Sequence, residues 1–219
     1  EHLTENETGK TEILVGAFML MKREFYNDIG GFDENCFMYS DDIDLSYLAL
    51  KTGKSNYYFH ETSVIHYKGE STIKDGLYMK RFQEAMHFFY KKHFKVSVFF
   101  SVFMEIGIVF FSVVKMFQGK TKPKLAPNQY ILISDNDDLR KRIESQLNKK
   151  VLIQKSLELM DTNTEIEIIL DQNYLDSKTI IQLMERHKNK GFTFKTASKS
   201  SDFIIGSNSS FDRGEIIEI

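Results

Sequence analysis

Cysteine, proline and tryptophan are scarce in this chain of 219 residues. It has one cysteine, two prolines and no tryptophan, and its formal net charge is -2. The lone Cys36 excludes an internal disulfide, as is typical of proteins in a reducing compartment, and we interpret it as a packed small side chain. The few prolines and 12 glycines argue against long disordered tracts. The balanced charge indicates no nucleic-acid partner.

What is present is apolar material for one large or two small globular domains, with 42% hydrophobic residues. The chain begins with Glu1 and opens with no basic region, apolar core and cleavage site of a signal peptide. We therefore expect it to be a piece of a longer protein.

The first long apolar run covers residues 12–21, Glu-Ile-Leu-Val-Gly-Ala-Phe-Met-Leu-Met. Its length and continuity predict a strand that is covered on both faces. Gly16 and Ala17 interrupt the run with minimal side chains. They allow the close approach of a ligand or another strand, and simple tight packing explains them equally well.

Three carboxylates, those of Asp41, Asp42 and Asp44, fall within four positions behind an aromatic stretch. Unpaired carboxylates are costly to bury, so the cluster must face solvent, a cation or a substrate hydroxyl. Apolar spacing predicts a helix over 41–51, whose first turn favours anionic side chains through its exposed N–H groups. Capping of the helix explains one of the carboxylates, and it does not explain three. The cluster is the first candidate for chemistry.

Just upstream, residues 22–29 predict a short helix that glycines 30 and 31 end by taking positive φ. Downstream, residues 55–60 and 62–67 predict two short strands. The second strand ends at His66, where an imidazole is suitably placed to be a ligand.

Two helices are predicted next, over 75–93 and within the apolar stretch 96–117. The stretch is long enough to cross a bilayer, but Glu105 counts against a free-standing span. Lysines bracket it on both sides. We favour helices that lie in the lipid headgroup region over an ordinary buried helix.

Residues 118–128 hold both prolines and predict a linker. Strand and helix patterns alternate beyond it, which predicts a small parallel sheet with helices against it. The first strand-to-helix turn, residues 134–138, has three aspartates and no glycine. A phosphate needs close backbone approach and few carboxylates there, so a dinucleotide site is not expected.

Residues 15–71 resemble the second half of the catalytic domain of family 2 glycosyltransferases, in the bacterial rhamnosyl- and galactofuranosyltransferase-like group. The similar stretches come in the family's order and are Val15-Gly16-Ala17-Phe18, Gly30-Gly31-Phe32-Asp33-Glu34, Phe37-Met38-Tyr39-Ser40-Asp41-Asp42-Ile43-Asp44-Leu45 and Val64-Ile65-His66-Tyr67. The resemblance implies an α/β fold of GT-A type. In that fold a nucleotide-sugar donor, held by a divalent manganese or magnesium ion, meets an acceptor hydroxyl.

The resemblance also implies roles for individual residues. Asp42 corresponds to the general base, and Asp41 replaces the family's usual glutamate as a residue that orients the acceptor or supports the base. His66 matches a histidine that completes the metal site in some members, with substrate binding or a structural role as alternatives. Four residues are expected to contact the substrate, namely Gly16, Ala17, Tyr39 and Asp44. Asp44 also fits the role of a helix cap.

Two departures from the family pattern matter. Leu48 stands where members commonly carry an arginine. No donor-binding strand-helix units precede residue 12, and no Asp-x-Asp motif precedes the acidic cluster. We therefore expect the chain alone to be inactive for want of its donor-binding half. Residues 129–219 are more weakly similar to the Rossmann-like domain of polyprenyl-phosphate sugar transferases, which suggests a regulatory or assembly role.

The leading hypothesis is an inverting sugar transferase that builds cell-surface polysaccharide on a lipid-linked acceptor at the cytoplasmic face of the bacterial inner membrane. Its expected parts are an acceptor-side half of a GT-A domain (1–93), a membrane-associating helical segment (94–117), a linker (118–128) and an accessory α/β domain (129–219). Two alternatives stay open, a non-catalytic binding or scaffolding module at the membrane and a carboxylate metalloprotein that uses no sugar.

Overall fold

The fold is described from a computed structural model. It describes residues 3–36, 38–67, 76–94, 97–116, 127–157, 165–199, 202–208 and 214–219, and gives the backbone alone for residues 76–79, 108 and 111–116. Six helices and eight strands lie within these residues. In chain order they are β1 Gly9–Thr11, α1 Arg23–Asp28, α2 Asp41–Lys51, β2 Asn56–Tyr58, α3 Gly76–His93, α4 Val98–Met116, β3 Gln129–Ile133, α5 Asp137–Leu147, β4 Val151–Gln154, β5 Ile166–Asp171, α6 Ser177–Arg186, β6 Thr193–Ala197, β7 Phe203–Ser207 and β8 Glu215–Glu218.

The chain forms two compact units. The first unit consists of Glu1–Val64 and Ile73–Thr121, and the second of Ile65–Thr72 and Lys122–Ile219. The predicted linker lies mostly outside the described residues, and the predicted domain boundaries stay predictions.

The helices of the first unit begin and end close to their predicted positions. The turn after α1 has Gly30 at φ 91° and Gly31 at φ 64°, the positive values that were expected of them. α2 covers Asp41–Lys51, the predicted helix, and its three aspartates lie in its first turn. Local patterning is therefore enough to specify these two helices.

The strand predicted over 12–21 is wrong, because β1 ends at Thr11 and the run that follows it forms no strand. Most of its side chains are exposed, and its polar backbone contacts run to side chains instead of to a neighbouring strand. The amide of Leu14 donates to Ser46 Oγ at 3.1 Å, and Asn56 Nδ2 donates to the carbonyl of Glu12 at 2.8 Å. A buried strand needs hydrogen-bonded neighbours and two covered faces. In the described part of the first unit, the only ladder is the short antiparallel pair β1–β2.

The strand predicted over 62–67 is also wrong, since these residues are described and lie in no strand. The short strand β2 is the part of the 55–60 prediction that does pair, with β1. An extended, β-branched sequence forms a strand only where a ladder partner is available.

Aromatic side chains pack α2, α3 and α4 together. The ring of Tyr47 on α2 lies 5.5 Å from that of Phe89 on α3, and the ring of Tyr90 on α3 lies 4.7 Å from that of Phe100 on α4. Such tilted ring contacts add to the burial of apolar area. Among the described helices, none has both the length and the hydropathy of a membrane-spanning helix.

The second unit is a six-stranded sheet in the order β4-β3-β5-β6-β7-β8. Strands β3 to β6 pair in parallel, as predicted, whereas β7 and β8 are antiparallel, so the sheet is mixed and the prediction of a parallel sheet is wrong at this edge. Only residues 198–202 connect β6 to β7, and a parallel crossover needs about a dozen residues or more. β8 was not predicted at all.

Side chains of alternate strand residues form a core on each face of this sheet. Leu132 and Ile169 pack with Leu139 and Ile143 of α5 on one face. Ile131, Ile133, Ile168 and Leu170 pack with Ile180 of α6 on the other. Helices on both faces explain why these parallel strands read as continuous apolar runs.

A row of charged side chains crosses the sheet of the second unit. Lys195 Nζ on β6 lies 2.6 Å from Glu167 Oε2 on β5 and 3.0 Å from Glu215 Oε2 on β8. Gly206 on β7 lies between them, and a Cβ there would come within 2.7 Å of Lys195 Cγ and 2.3 Å of the carbonyl oxygen of Phe194. The missing side chain is what lets the lysine cross β7.

Candidate functional site

The predicted base Asp42 contacts the predicted substrate residue Gly16 directly. Asp42 Oδ2 accepts a hydrogen bond from the Gly16 amide at 2.8 Å, and Oδ1 accepts one from the amide of Ile43, also at 2.8 Å. Asp42 and Ser46 are one helical turn apart on α2, and they bind the alternate amides of Gly16 and Leu14. α2 therefore holds the apolar run of residues 12–21 through two side chains on one helix face.

Gly16 is closely approached by the Asp42 side chain of α2, and not by a neighbouring strand. A Cβ at residue 16 would lie 3.0 Å from Asp42 Cβ and 3.3 Å from Oδ2. Any other residue would push the carboxylate by a few tenths of an ångström. The glycine thus sets the distance between the backbone and the candidate base.

The backbone that leads into α2 is strained. Met38 and Tyr39 have φ of 63° and 68°, the left-handed region that non-glycine residues rarely adopt. Ser40 follows as the N-cap and is fully buried, and Cys36 Sγ lies 2.8 Å from its hydroxyl. Strain of this kind recurs at functional sites, where the surrounding structure fixes an unfavourable conformation.

Asp44 is buried, and α3 engages both of its oxygens. The Asp44 side chain is 1% exposed, with Oδ1 at 2.5 Å from His93 Nε2 and Oδ2 at 2.8 Å from Lys92 Nζ. The His93 ring packs at 4.7 Å from Tyr47 and 5.0 Å from Phe89. The carboxylate that sequence analysis offered as a substrate ligand or helix cap thus ties α2 to the end of α3. The predicted substrate contact of Asp44 stays a prediction.

Lys92 also reaches Asp33 of the Gly-Gly-Phe-Asp-Glu stretch, at 2.8 Å. This hydrogen bond, with those from Asn35, lowers the pKa of Asp33 to about 2. Burial alone would lower the pKa of Lys92, but its hydrogen bonds to Asp33 and Asp44 outweigh this effect and raise it. Asp33, Asp44, Lys92 and His93, the α2–α3 ion cluster, were not recognised in the sequence because the partners lie far apart along it.

Two open clefts lie along the apolar run of residues 12–21. The larger, of about 980 Å³, is lined by Ala17 and Phe18 together with Tyr57 and Phe59. The smaller, of about 510 Å³, is lined by Gly16, Ala17 and residues of the α1 region. In the described part of the chain Asp42 lines neither cleft and lies directly behind Gly16. Gly16 and Ala17 therefore line the smaller cleft, and Asp42 contacts Gly16 without lining the cleft itself.

The remaining predicted residues are placed separately. Asp41 is half-buried in the first turn of α2, and the ring of Tyr39 lies 6.3 Å from that of Phe82 on α3. His66 is exposed and lies in the segment that belongs to the second unit. Within the described residues, no group of three or more His, Cys, Asp or Glu side chains is arranged to hold a metal ion.

Comparison with known proteins gives one local similarity. A stretch of 62 residues, 28% of this chain, is 39% identical to N-acetylglucosaminyl-diphospho-decaprenol L-rhamnosyltransferase of Mycobacterium tuberculosis, in both of two strains. The matched stretch is only 20% of the length of that relative. No protein-family model matches the chain, and no solved structure matches it. The similarity is to a glycosyltransferase whose named substrate is a lipid-linked sugar.

Proposed function

We propose that this chain is the acceptor-side part of an inverting family 2 glycosyltransferase with a GT-A type domain. It transfers a sugar from a nucleotide-sugar donor to a lipid-linked glycan during cell-surface polysaccharide synthesis. The local identity to a rhamnosyltransferase supports the reaction class. The observation that carries the proposal is the half-buried Asp42 carboxylate, held behind the cleft wall at Gly16 by a backbone amide.

In this proposal Asp42 is the general base. Its two oxygens offer about four lone-pair positions, and the two amide hydrogen bonds occupy two of them. A free lone pair accepts the proton of the acceptor hydroxyl while that oxygen attacks the anomeric carbon. The bond from that carbon to the nucleoside diphosphate breaks on the opposite face, which inverts the configuration. Asp41, in the same helical turn, orients the acceptor.

Manganese or magnesium is part of the proposal through the family resemblance alone. The described residues do not by themselves form a site for it, since no three ligand side chains converge among them. No step of the mechanism is therefore routed through the ion. His66 is one proposed ligand, and the others would come from the donor-binding half.

A lipid-linked acceptor would place the reaction at a membrane surface. We therefore propose that the protein works at the cytoplasmic face of the bacterial inner membrane, as a peripheral or membrane-associated enzyme. The single cysteine fits the reducing side of that membrane.

The test is sugar transfer by the Asp42→Asn variant. The protein used in the assay is this chain joined to a donor-binding half, because the chain alone is predicted to lack that half. The assay follows radiolabelled rhamnose from a nucleoside-diphosphate donor into N-acetylglucosaminyl-diphospho-decaprenol. Asparagine can still accept from the Gly16 amide but cannot take up the proton, so the rate should fall by about 10² to 10⁴-fold.

Asp28→Asn is the matched control, since it makes the same change at an exposed position at the end of α1. It should leave the rate unchanged. Full activity of Asp42→Asn would contradict the assignment of the base and favour the alternative, a non-catalytic binding or scaffolding module.

A further inference from the structure

The outward side of α4 is apolar along its described length. Seven large hydrophobic side chains are exposed there, and Val98, Phe99 and Phe103 are exposed most, at 80%, 89% and 74%. We call this set the α4 apolar face. Its members are Val98, Phe99, Val102, Phe103, Ile106, Val109 and Phe110. A water-exposed helix surface normally carries polar residues instead.

These seven residues form one continuous stripe. At 3.6 residues per turn they fall within a sector of about 140° around the helix axis. Phe100 and Ser101 lie outside this sector, are half-buried, and Phe100 packs on Tyr90 of α3. Glu105 also lies outside the sector, next to its edge. α4 therefore rests on α3 by one side and presents phenylalanine, valine and isoleucine to its surroundings on the other.

Positive charge surrounds this stripe in the sequence. Lys91 and Lys95 precede it, and four lysines follow it at positions 115, 120, 122 and 124. Lys92 is not counted, because Asp33 and Asp44 engage its ammonium group. A helix with a broad apolar face and flanking lysines has the pattern that binds the interface of an anionic bilayer. The apolar side chains enter the boundary between headgroups and acyl chains, and the ammonium groups stay with the phosphates.

We propose that the α4 apolar face docks the protein on an anionic phospholipid surface, with the helix axis in the plane of the interface. The charge complementarity of the flanking lysines favours lipid over a second copy of the chain, which would bring like charges together. Only the biological role of this docking rests on the proposed function, since docking would bring the site to a lipid-linked acceptor. Lipid binding itself can be measured without any sugar transfer.

The absence of tryptophan from the sequence allows a direct test. Phe103→Trp places a single tryptophan on the α4 apolar face, and Phe59→Trp places one at an exposed position outside it. With vesicles of equal parts phosphatidylglycerol and phosphatidylcholine, the emission of Phe103→Trp should shift to the blue and that of Phe59→Trp should not. Lipids brominated near the headgroup should quench the fluorescence of Phe103→Trp more than lipids brominated at the chain end.

A binding measurement completes the test. In flotation with the same vesicles, Phe99→Ser with Phe103→Ser should lower the partition coefficient by about tenfold or more. The control is Phe59→Ser with Ile216→Ser, which removes two exposed apolar side chains elsewhere and should bind like the unmodified chain. Vesicles of phosphatidylcholine alone should bind less, because their zwitterionic surface lacks the net negative charge that attracts the lysines.

Three results would overturn the proposal. One is vesicle binding that the two serines on α4 do not change, and another is no binding at all. The third is lipid-independent self-association that is lost in the α4 variant, which would make a second copy the partner. Each of these is independent of the Asp42→Asn result, so failure of one proposal does not imply failure of the other.

Discussion

Asp44 shows how a residue in a catalytic-looking cluster can serve the architecture. Its carboxylate is buried and engaged by His93 and Lys92, while Asp42, two residues earlier, faces the segment at Gly16. Positions two apart on a helix point about 200° apart around its axis, so Asp42 and Asp44 meet different surroundings. The dense acidic motif thus divides between a candidate base and an anchor for α3.

Asp44→Asn should destabilise the packing of α2 on α3. It leaves the buried His93 ring without its anionic partner and leaves Lys92 paired with Asp33 alone. Breaking a buried pair in this way costs about 3 kcal/mol. Hydrogen exchange of α2 and α3 amides, followed by mass spectrometry, measures the loss within the first unit. Protection should fall in both helices.

Asp41→Asn is the control, because it removes the charge of a half-buried neighbour in the same turn. Its effect on amide protection should be small. Equal effects of the two substitutions would show that charge in the first turn matters, and that the contact with α3 does not.

At the scale of elements, Lys92 joins the Gly-Gly-Phe-Asp-Glu turn to α3 through Asp33. The pKa of Asp33 is lowered to about 2 from 3.8 in the folded state, so the unfolded chain binds its proton more readily. The contribution of this contact to stability is therefore present above pH 3.8 and is lost as the pH falls towards 2.

We accordingly expect the free energy of unfolding of the first unit to decrease with acidification in this range, and to decrease less in Asp33→Asn. Amide exchange of α3, measured at several pH values, checks it. Identical acid profiles of the two proteins would contradict the assigned contact.

In the second unit, the buried pair Glu167–Lys195 joins β5 to β6, with side chains 1% and 3% exposed. Lys195→Met alone leaves the Glu167 carboxylate buried without its partner, and should cost about 3 kcal/mol or more. Replacing both residues by methionine should restore much of that loss, since a buried ion pair contributes little net stability over an apolar pair. Denaturant titrations, monitored by amide exchange of β5 and β6, measure the free energy of unfolding of the unmodified chain and of both variants.

A double variant as unstable as Lys195→Met would contradict this view of the pair. In that case Glu215, which also reaches Lys195, or the space provided by Gly206 would be the controlling feature.

Sequence patterns predicted some elements well and others poorly, for a physical reason. α2 and α5 are specified by local signals, such as the apolar period and the Asn136 side chain, which accepts from two amides at the start of α5. The run 12–21 and β8 depend on which strands are available as neighbours, and sequence periodicity does not contain that information. The same holds for the site. The family pattern pointed to Gly16 and Asp42 separately and did not predict their contact, and the partners of Asp44 lie 48 and 49 positions away.

At the scale of the whole molecule, the first unit exposes several large apolar side chains near its larger cleft. Leu20 is 90% exposed and Val15 is 78% exposed, beside the open cleft that Ala17 and Phe18 line. Patches of this kind bind hydrophobic dyes and promote association at high concentration.

Val15→Ser with Leu20→Ser should therefore lower the fluorescence of bound anilinonaphthalene sulfonate and raise the concentration at which the chain aggregates. Ile216→Ser, at an exposed site in the second unit, is the control and should change neither quantity. Unchanged dye binding in the double variant would mean that this surface is covered in solution.

The hydrogen bond from the Gly16 amide to Asp42 has a consequence for spectroscopy. A protonated carboxyl group accepts a hydrogen bond less strongly than a carboxylate, so the amide proton of Gly16 should resonate at different frequencies in the two ionisation states of Asp42. Nuclear magnetic resonance of this one backbone position thus reports the charge on the candidate base directly. It would do so without donor, acceptor or any turnover.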